Sequence, residues 1–281
     1  MDSIEVLAKQ LAVARATGAV IGLVPTMGAL HRGHLALVAA ARGECDTVVV
    51  SAFVNPAQFG PGEDLRAYPR DPEGDRARAE AAGADILFVP ESAEMYPSAP
   101  LTAVAVADLG DRLEGASRPG HFVGVATVVV KLLNLVGPSR AYFGEKDYQQ
   151  LLVVRRAVED LSIPTRIVAC PTVREPDGLA LSSRNAHLAP AERAAASVVY
   201  RALNQGRAAV LSGERKAASV REAMAGTLRP ESLIIILDYA EVATADGLSP
   251  AADPLSGELR LLIAVRVGAV RLIDNLGVTV P

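Results

Sequence analysis

Short apolar runs alternate with helical segments through the first two-thirds of this chain, and no other feature constrains the fold as strongly. Asp46 to Val54 is β-rich and almost wholly apolar. Such a strand must be covered on both faces, as strands of a parallel sheet are. Ala19 to Pro25, Asp85 to Pro90, 140–143 and 165–170 read as further short strands. Between them, residues 3–17 place Ile4, Leu7, Ala8, Leu11 and Ala14 at helical spacing, and Leu35 to Ala41 resumes it. Residues 71–82 are charged and Ala-rich, and 122–136 and 147–160 read as helices. Strands separated by helices imply βαβ units, hence an α/β fold with a parallel sheet. Ligands on such a sheet sit at the carboxyl ends of the strands.

The pattern changes after about residue 172. Pro190 opens an Ala/Arg-rich helix reaching about Leu211, and another helix is predicted over 215–227. Ile234 to Val242, Leu259 to Val267 and Ala269 to Ile273 read as strands, with a Gly/Pro/Asp/Ser turn region at 245–258. The expectation is two domains, 1–172 and a smaller α+β domain over 173–281, which suits 281 residues.

Composition then removes whole classes of function. Lys and Arg total 28 against 32 Asp and Glu, so the chain lacks the basic excess of a nucleic-acid-binding protein. The longest apolar stretch, Val123 to Val136, is interrupted by Lys131 and Asn134, well short of a membrane span. Met1-Asp2-Ser3-Ile4-Glu5 shows no leader pattern, and the two cysteines, Cys45 and Cys170, suit buried thiols in a reducing compartment. A cytoplasmic protein is expected.

Four segments carry chemistry. The first is Pro25-Thr26-Met27-Gly28-Ala29-Leu30-His31-Arg32-Gly33-His34, holding two of the four histidines between a strand and a helix. Amides at a helix start favour a phosphate, glycines let backbone approach it, and imidazoles add donors. The glycines match neither a Walker A nor a dinucleotide fingerprint. No third residue stands near the histidines to complete a metal site. The second segment, Phe143-Gly144-Glu145-Lys146-Asp147-Tyr148-Gln149-Gln150, follows another strand and holds one of only four lysines in an Arg-rich chain. The third, Leu181-Ser182-Ser183-Arg184-Asn185, can grip a polyphosphate, though Ser-Ser-Arg alone is an ordinary cap. The fourth, Asn55-Pro56-Ala57-Gln58-Phe59, offers amides suited to a neutral or carboxylate substrate.

In that order and spacing, and with Tyr68-Pro69-Arg70, these segments resemble the pantothenate synthetase (pantoate–β-alanine ligase) family over essentially the whole chain. His31-x-Gly33-His34 with Leu181 to Arg184 is also similar to the wider nucleotidyltransferase and class I synthetase group. The resemblance implies a Rossmann-like N-terminal domain, a smaller C-terminal lid, a homodimer, and ATP, Mg²⁺, pantoate and β-alanine as ligands. It makes Pro25 to His34 the first ATP-binding segment, with His34 catalytic and His31 beside it on the phosphates. Gly144, Glu145, Lys146 and Asp147 become the second, with Lys146 near the phosphates and Asp147 near the ribose. Val173 becomes an adenine contact, and Leu181, Ser182, Ser183 and Arg184 a mobile phosphate-binding loop. Gln58 and Gln150 hold pantoate, and Gln58 also reaches β-alanine.

Two positions depart from the family pattern. Leu181 stands where Met is common, a swap of similar volume. Gly74 precedes Asp75 where acidic residues often cluster, so Mg²⁺ is assigned mainly to ATP oxygens. The implied reaction activates pantoate as an acyl adenylate and then forms an amide. The competing readings are transfer of a nucleotidyl group to a phosphate ester, which the two neutral glutamines suit less well, and a nucleotide sensor, which needs fewer phosphate donors.

Overall fold

The computed structural model describes residues 1–63, 65–231 and 233–281. They divide into two compact units, Met1–Glu145 with Gln149–Pro171, and Lys146–Tyr148 with Thr172–Pro281.

The first unit runs α1 (Ile4–Ala16), β1 (Ile21–Thr26), α2 (Arg32–Arg42), β2 (Thr47–Ala52), α3 (Pro72–Ala81), β3 (Ile86–Phe88), α4 (Ser92–Met95), α5 (Glu114–Ser117), α6 (His121–Val136), β4 (Ser139–Gly144), α7 (Tyr148–Asp160) and β5 (Thr165–Cys170). Its strands form one parallel sheet in the order β3-β2-β1-β4-β5, as the alternation predicts. Val48, Val49 and Val50 of β2 have no exposed surface. Burying each such side chain contributes about 1.5–3 kcal/mol. Sequence order reverses on either side of β1, which lies between β2 and β4, so the chain leaves the sheet in opposite directions there. A crevice outside the strand ends opens at such a switch point. The register pairs Pro25 with Ser51 and Thr26 with Ala52, so the loops leaving β1 and β2 start side by side. Both cysteines are buried in this unit, as expected.

The second unit contains α8 (Pro190–Ala196), α9 (Val198–Leu211), α10 (Ala217–Leu228), β6 (Ile235–Thr244), β7 (Glu258–Val267) and β8 (Val270–Thr279). Its sheet is antiparallel, β6-β7-β8, with Leu203 and Met224 of the helices buried in one core with Leu261, Ile263 and Val265 of β7. Two expectations need correction. The helix predicted from Pro190 to Leu211 is two helices divided at Ser197, whose hydroxyl donates to Ala194 O at 3.1 Å and competes with the helical ladder. The last strand extends beyond Ile273 to Thr279 through Asp-Asn-Leu-Gly, residues that locally favour a turn. Side-chain bonds of Asp274 and Asn275, described below, hold it extended.

Candidate active site

The loop between β1 and α2 is held from inside. Gly28 has φ +82°, a conformation glycine adopts without penalty, and Ala29 follows at φ +49°. These turns aim two successive amides at Asp75 of α3. Ala29 N–H donates to Asp75 Oδ2 at 2.8 Å and Leu30 N–H to Oδ1 at 2.7 Å, with Asp75 only 3% exposed. A Cβ on Gly28 would lie 3.0 Å from the same carboxylate. Thr26 Oγ1 accepts from Gly28 N–H at 3.1 Å and donates to Ser51 O at 2.7 Å, tying the loop to β2. The Leu30 side chain, 3% exposed, is part of the core with Val24, Leu37 and Val38.

The two histidines cap their own helix reciprocally. Gly33 N–H donates to His31 Nδ1 at 3.1 Å, and His31 N–H donates to His34 Nδ1 at 3.3 Å. The rings stack with centroids 4.0 Å apart and planes inclined by 23°. Because both Nδ1 atoms accept, each neutral ring carries its proton on Nε2. This changes the picture of a phosphate held by helix-start amides. The amides of Ala29, Leu30, His31 and Gly33 all donate within the protein.

Gln58 meets this loop. Its Nε2 lies 2.9 Å from Met27 Sδ, which joins the first and fourth chemical segments. Gln58 is 7% exposed, and Asn55 Nδ2 donates to its Oε1 at 3.2 Å. Asn55 also donates to Gly124 O at 3.1 Å, and its Oδ1 accepts from Tyr96 Oη at 2.9 Å. At Gly124 the start of α6 comes so close that an added Cβ would fall 2.2 Å from Ala57 O, so only glycine fits. His121, at the first position of α6, donates from Nδ1 to Gln58 O at 2.8 Å. Its Nε2 lies 3.0 Å from Arg118 Nη1, and Arg118 makes two bonds to Glu63, at 2.8 and 2.6 Å. Burial, and then the Arg118 charge, push the His121 imidazole below its ordinary range. The sequence alone gives no role to Tyr96, Arg118, His121 or Gly124 in this network, because the turn at 55–58 that the network holds lies 41 to 69 residues away in the chain. Gln150 is half-buried on α7. Its buried neighbour Gln149 bonds to Leu109 O, Arg112 O and Glu114 N–H at 2.8, 2.7 and 3.1 Å.

The second segment crosses the division between the units, with Gly144 and Glu145 in the first and Lys146 and Asp147 in the second. Lys146 Nζ lies 3.2 Å from Asp147 Oδ1. Asn275 Nδ2 donates to Lys146 O at 2.9 Å, and Asn275 Oδ1 accepts from Arg260 Nε at 2.6 Å. The Arg260 guanidinium stacks on the Tyr148 ring at 3.7 Å. Arg174 grips Asp274 at 2.5 and 2.9 Å and lies over the Tyr200 ring at 4.0 Å. In the same unit Leu181 N–H donates to Val173 O at 3.0 Å, joining two predicted ATP residues. Ser182 caps the Ser183–His187 turn by accepting from Arg184 N–H at 3.3 Å.

Among the described residues no group of three His, Cys, Asp or Glu side chains could hold a metal ion. Asp75, whose carboxylate meets the loop, is committed to two amides and to Arg78 at 3.1 Å. No described helix is long and apolar enough to cross a membrane.

The family model for pantoate–β-alanine ligase matches residues 1–277. Pantothenate synthetase of Moorella thermoacetica is 52% identical over 277 residues, 98% of this chain and 96% of the relative. The crystal structure of pantothenate synthetase from Thermus thermophilus superposes with a TM-score of 0.91 at 50% identity, covering 98% of both chains. Pantoate–β-alanine ligase from Francisella tularensis, solved with β-γ ATP and β-alanine, has a TM-score of 0.80 at 35% identity over 98% of this chain and 96% of its own. The residues that carried the resemblance thus stand in a chain that matches throughout its length, and this chain belongs to the pantoate–β-alanine ligase family.

Proposed function

We propose that the chain condenses (R)-pantoate with β-alanine through pantoyl adenylate, consuming ATP and releasing pyrophosphate and AMP. The observation that carries this reading is the contact of Gln58 with Met27, which sets a neutral amide against the loop bearing His31 and His34. Family membership supports it, as does the relative solved with β-γ ATP and β-alanine. Nothing in the comparisons favours nucleotidyl transfer to a phosphate ester.

In the first step a pantoate carboxylate oxygen bonds to the α-phosphorus of ATP and the bond to pyrophosphate breaks. The protein's task is alignment and stabilisation of charge on phosphoryl oxygens. His31 and His34, as Nε2–H donors, and Lys146, Ser182, Ser183 and Arg184 are assigned to those oxygens. Asp147 is assigned to the ribose, Val173 to adenine, and Gln58 with Gln150 to pantoate. In the second step the β-alanine amine attacks the acyl carbon and AMP leaves, so no covalent enzyme intermediate forms. Mg²⁺ is assigned to the triphosphate, whose charge it offsets when bound. On family grounds the chain is read as a cytoplasmic homodimer, and light scattering on the purified protein tests the dimer.

The decisive experiment omits β-alanine. With ATP, Mg²⁺ and pantoate, labelled pyrophosphate should exchange into ATP, and His34→Ala should depress that exchange. A preparation that makes pantothenate yet shows neither exchange nor enzyme-bound pantoyl adenylate in a single turnover refutes the stepwise scheme. Gln58→Ala should raise KM for pantoate by about ten- to a hundredfold, the loss of a buried polar contact to substrate, while KM for ATP stays near wild type. Equal losses for both ligands would contradict the assignment.

A further inference from the structure

We propose that His121 is a positioning residue for the hydroxy acid, acting through the main-chain carbonyl of Gln58, a role that rests on the assignment of Gln58 above. The arrangement fixes one tautomer. A guanidinium can only donate, so His121 Nε2, 3.0 Å from Arg118 Nη1, must accept. The ring proton therefore sits on Nδ1 and donates to Gln58 O at 2.8 Å. Arg118 is itself oriented by its two bonds to Glu63, so a Glu63–Arg118–His121 relay ends on the peptide that carries Gln58. From the other side, Asn55 holds the Gln58 side chain while donating to Gly124 O on the same helix. Main chain and side chain of Gln58 are thus both referred to α6, and His121 supplies the main-chain half.

The relay is sensitive to acid. Protonation puts a second donor at Nε2, facing the Arg118 donor, and the contact is lost. Burial and the Arg118 charge oppose that protonation, while the Gln58 carbonyl, Glu63 and Glu114 favour it, and the net direction is downward. With the folded pKa depressed, the native form is favoured above the ordinary imidazole range. That advantage falls away as pH drops below the unfolded value near 6.5.

His121→Phe removes the donor and keeps an aromatic ring. His121→Asn places an amide N–H where Nδ1 stood and does not titrate. The expected results are a pantoate KM raised about three- to tenfold in His121→Phe, the worth of one hydrogen bond, with KM for ATP unchanged. His121→Asn should restore KM and flatten its rise on the acid side. In the Gln58→Ala background, His121→Phe should add nothing to the pantoate KM. Equal pantoate KM for the Phe and Asn variants, or a parallel rise in KM for ATP, overturns the role of His121 while leaving that of Gln58. An unchanged KM in Gln58→Ala alone overturns both. Melting temperatures of all variants separate a folding defect from a binding one, and an Asn variant that melts with the wild type yet binds pantoate as poorly as the Phe variant also overturns the proposal.

Discussion

Lys146→Ala should lower kcat by about two to three orders of magnitude, the effect of removing one strong donor to a developing phosphoryl charge. The structure allows this loss without collapse. The turn at 145–147 is anchored through its main chain, since Asn275 bonds to the Lys146 carbonyl at 2.9 Å and Arg260 stacks on Tyr148. None of those contacts uses the Lys146 side chain. Its ammonium pairs with Asp147 at 3.2 Å, a pair with one partner 46% exposed, so the pair itself adds little stability. The melting temperature should therefore move by no more than about a degree or two, while single-turnover formation of pantoyl adenylate slows with kcat. Lys146→Arg should recover only part of the rate, because a planar fork does not replace a compact ammonium. A folded alanine variant with near-normal kcat would remove Lys146 from the assignment.

The sheet is legible in the sequence because its signal is local and repeated. The strands of the first unit are short and mostly apolar, and helix starts carry ordinary caps such as Ser3 on α1. The end of β8 is illegible for the opposite reason. Asp274, Asn275 and Gly277 locally favour a turn, and the strand persists because Asp274 binds Arg174 and Asn275 binds Arg260, residues 100 and 15 positions away. The candidate site divides in the same way. The pair His31 and His34 stands out because both lie on one turn of chain. His121 and Arg118 gain meaning only when α6 is brought against the turn at Gln58, 63 residues earlier in the chain than His121. Asp75 gets no role from the sequence, and its work, holding two amides of a loop 45 residues earlier, shows only in the structure.

That work sets the largest expected stability effect. Asp75→Ala leaves the Ala29 and Leu30 amides without their acceptor in a region where Asp75 is 3% exposed. At about 1–3 kcal/mol for each orphaned donor, the first unit should lose about 2–6 kcal/mol. In a unit of this size that corresponds to a melting temperature lower by about 4–24 °C. The alternative explanation for Asp75 is its ion pair with Arg78 at 3.1 Å, and the two can be separated. The Arg78 side chain is 37% exposed and also binds Asp71 at 2.6 Å, so solvent screening reduces what that pair contributes. Arg78→Gln should then cost about 1 kcal/mol or less. Asp75→Asn should cost more than half as much as Asp75→Ala, because its amide turns one acceptor into a donor facing a donor. Thermal melting of the three variants decides the matter. If Arg78→Gln destabilises as much as Asp75→Ala, the ion pair holds the loop. If Asp75→Asn and Asp75→Ala far exceed it, the amide bonds do, and pyrophosphate exchange should fall with them, because His31 and His34 enter α2 directly from the residues those bonds fix.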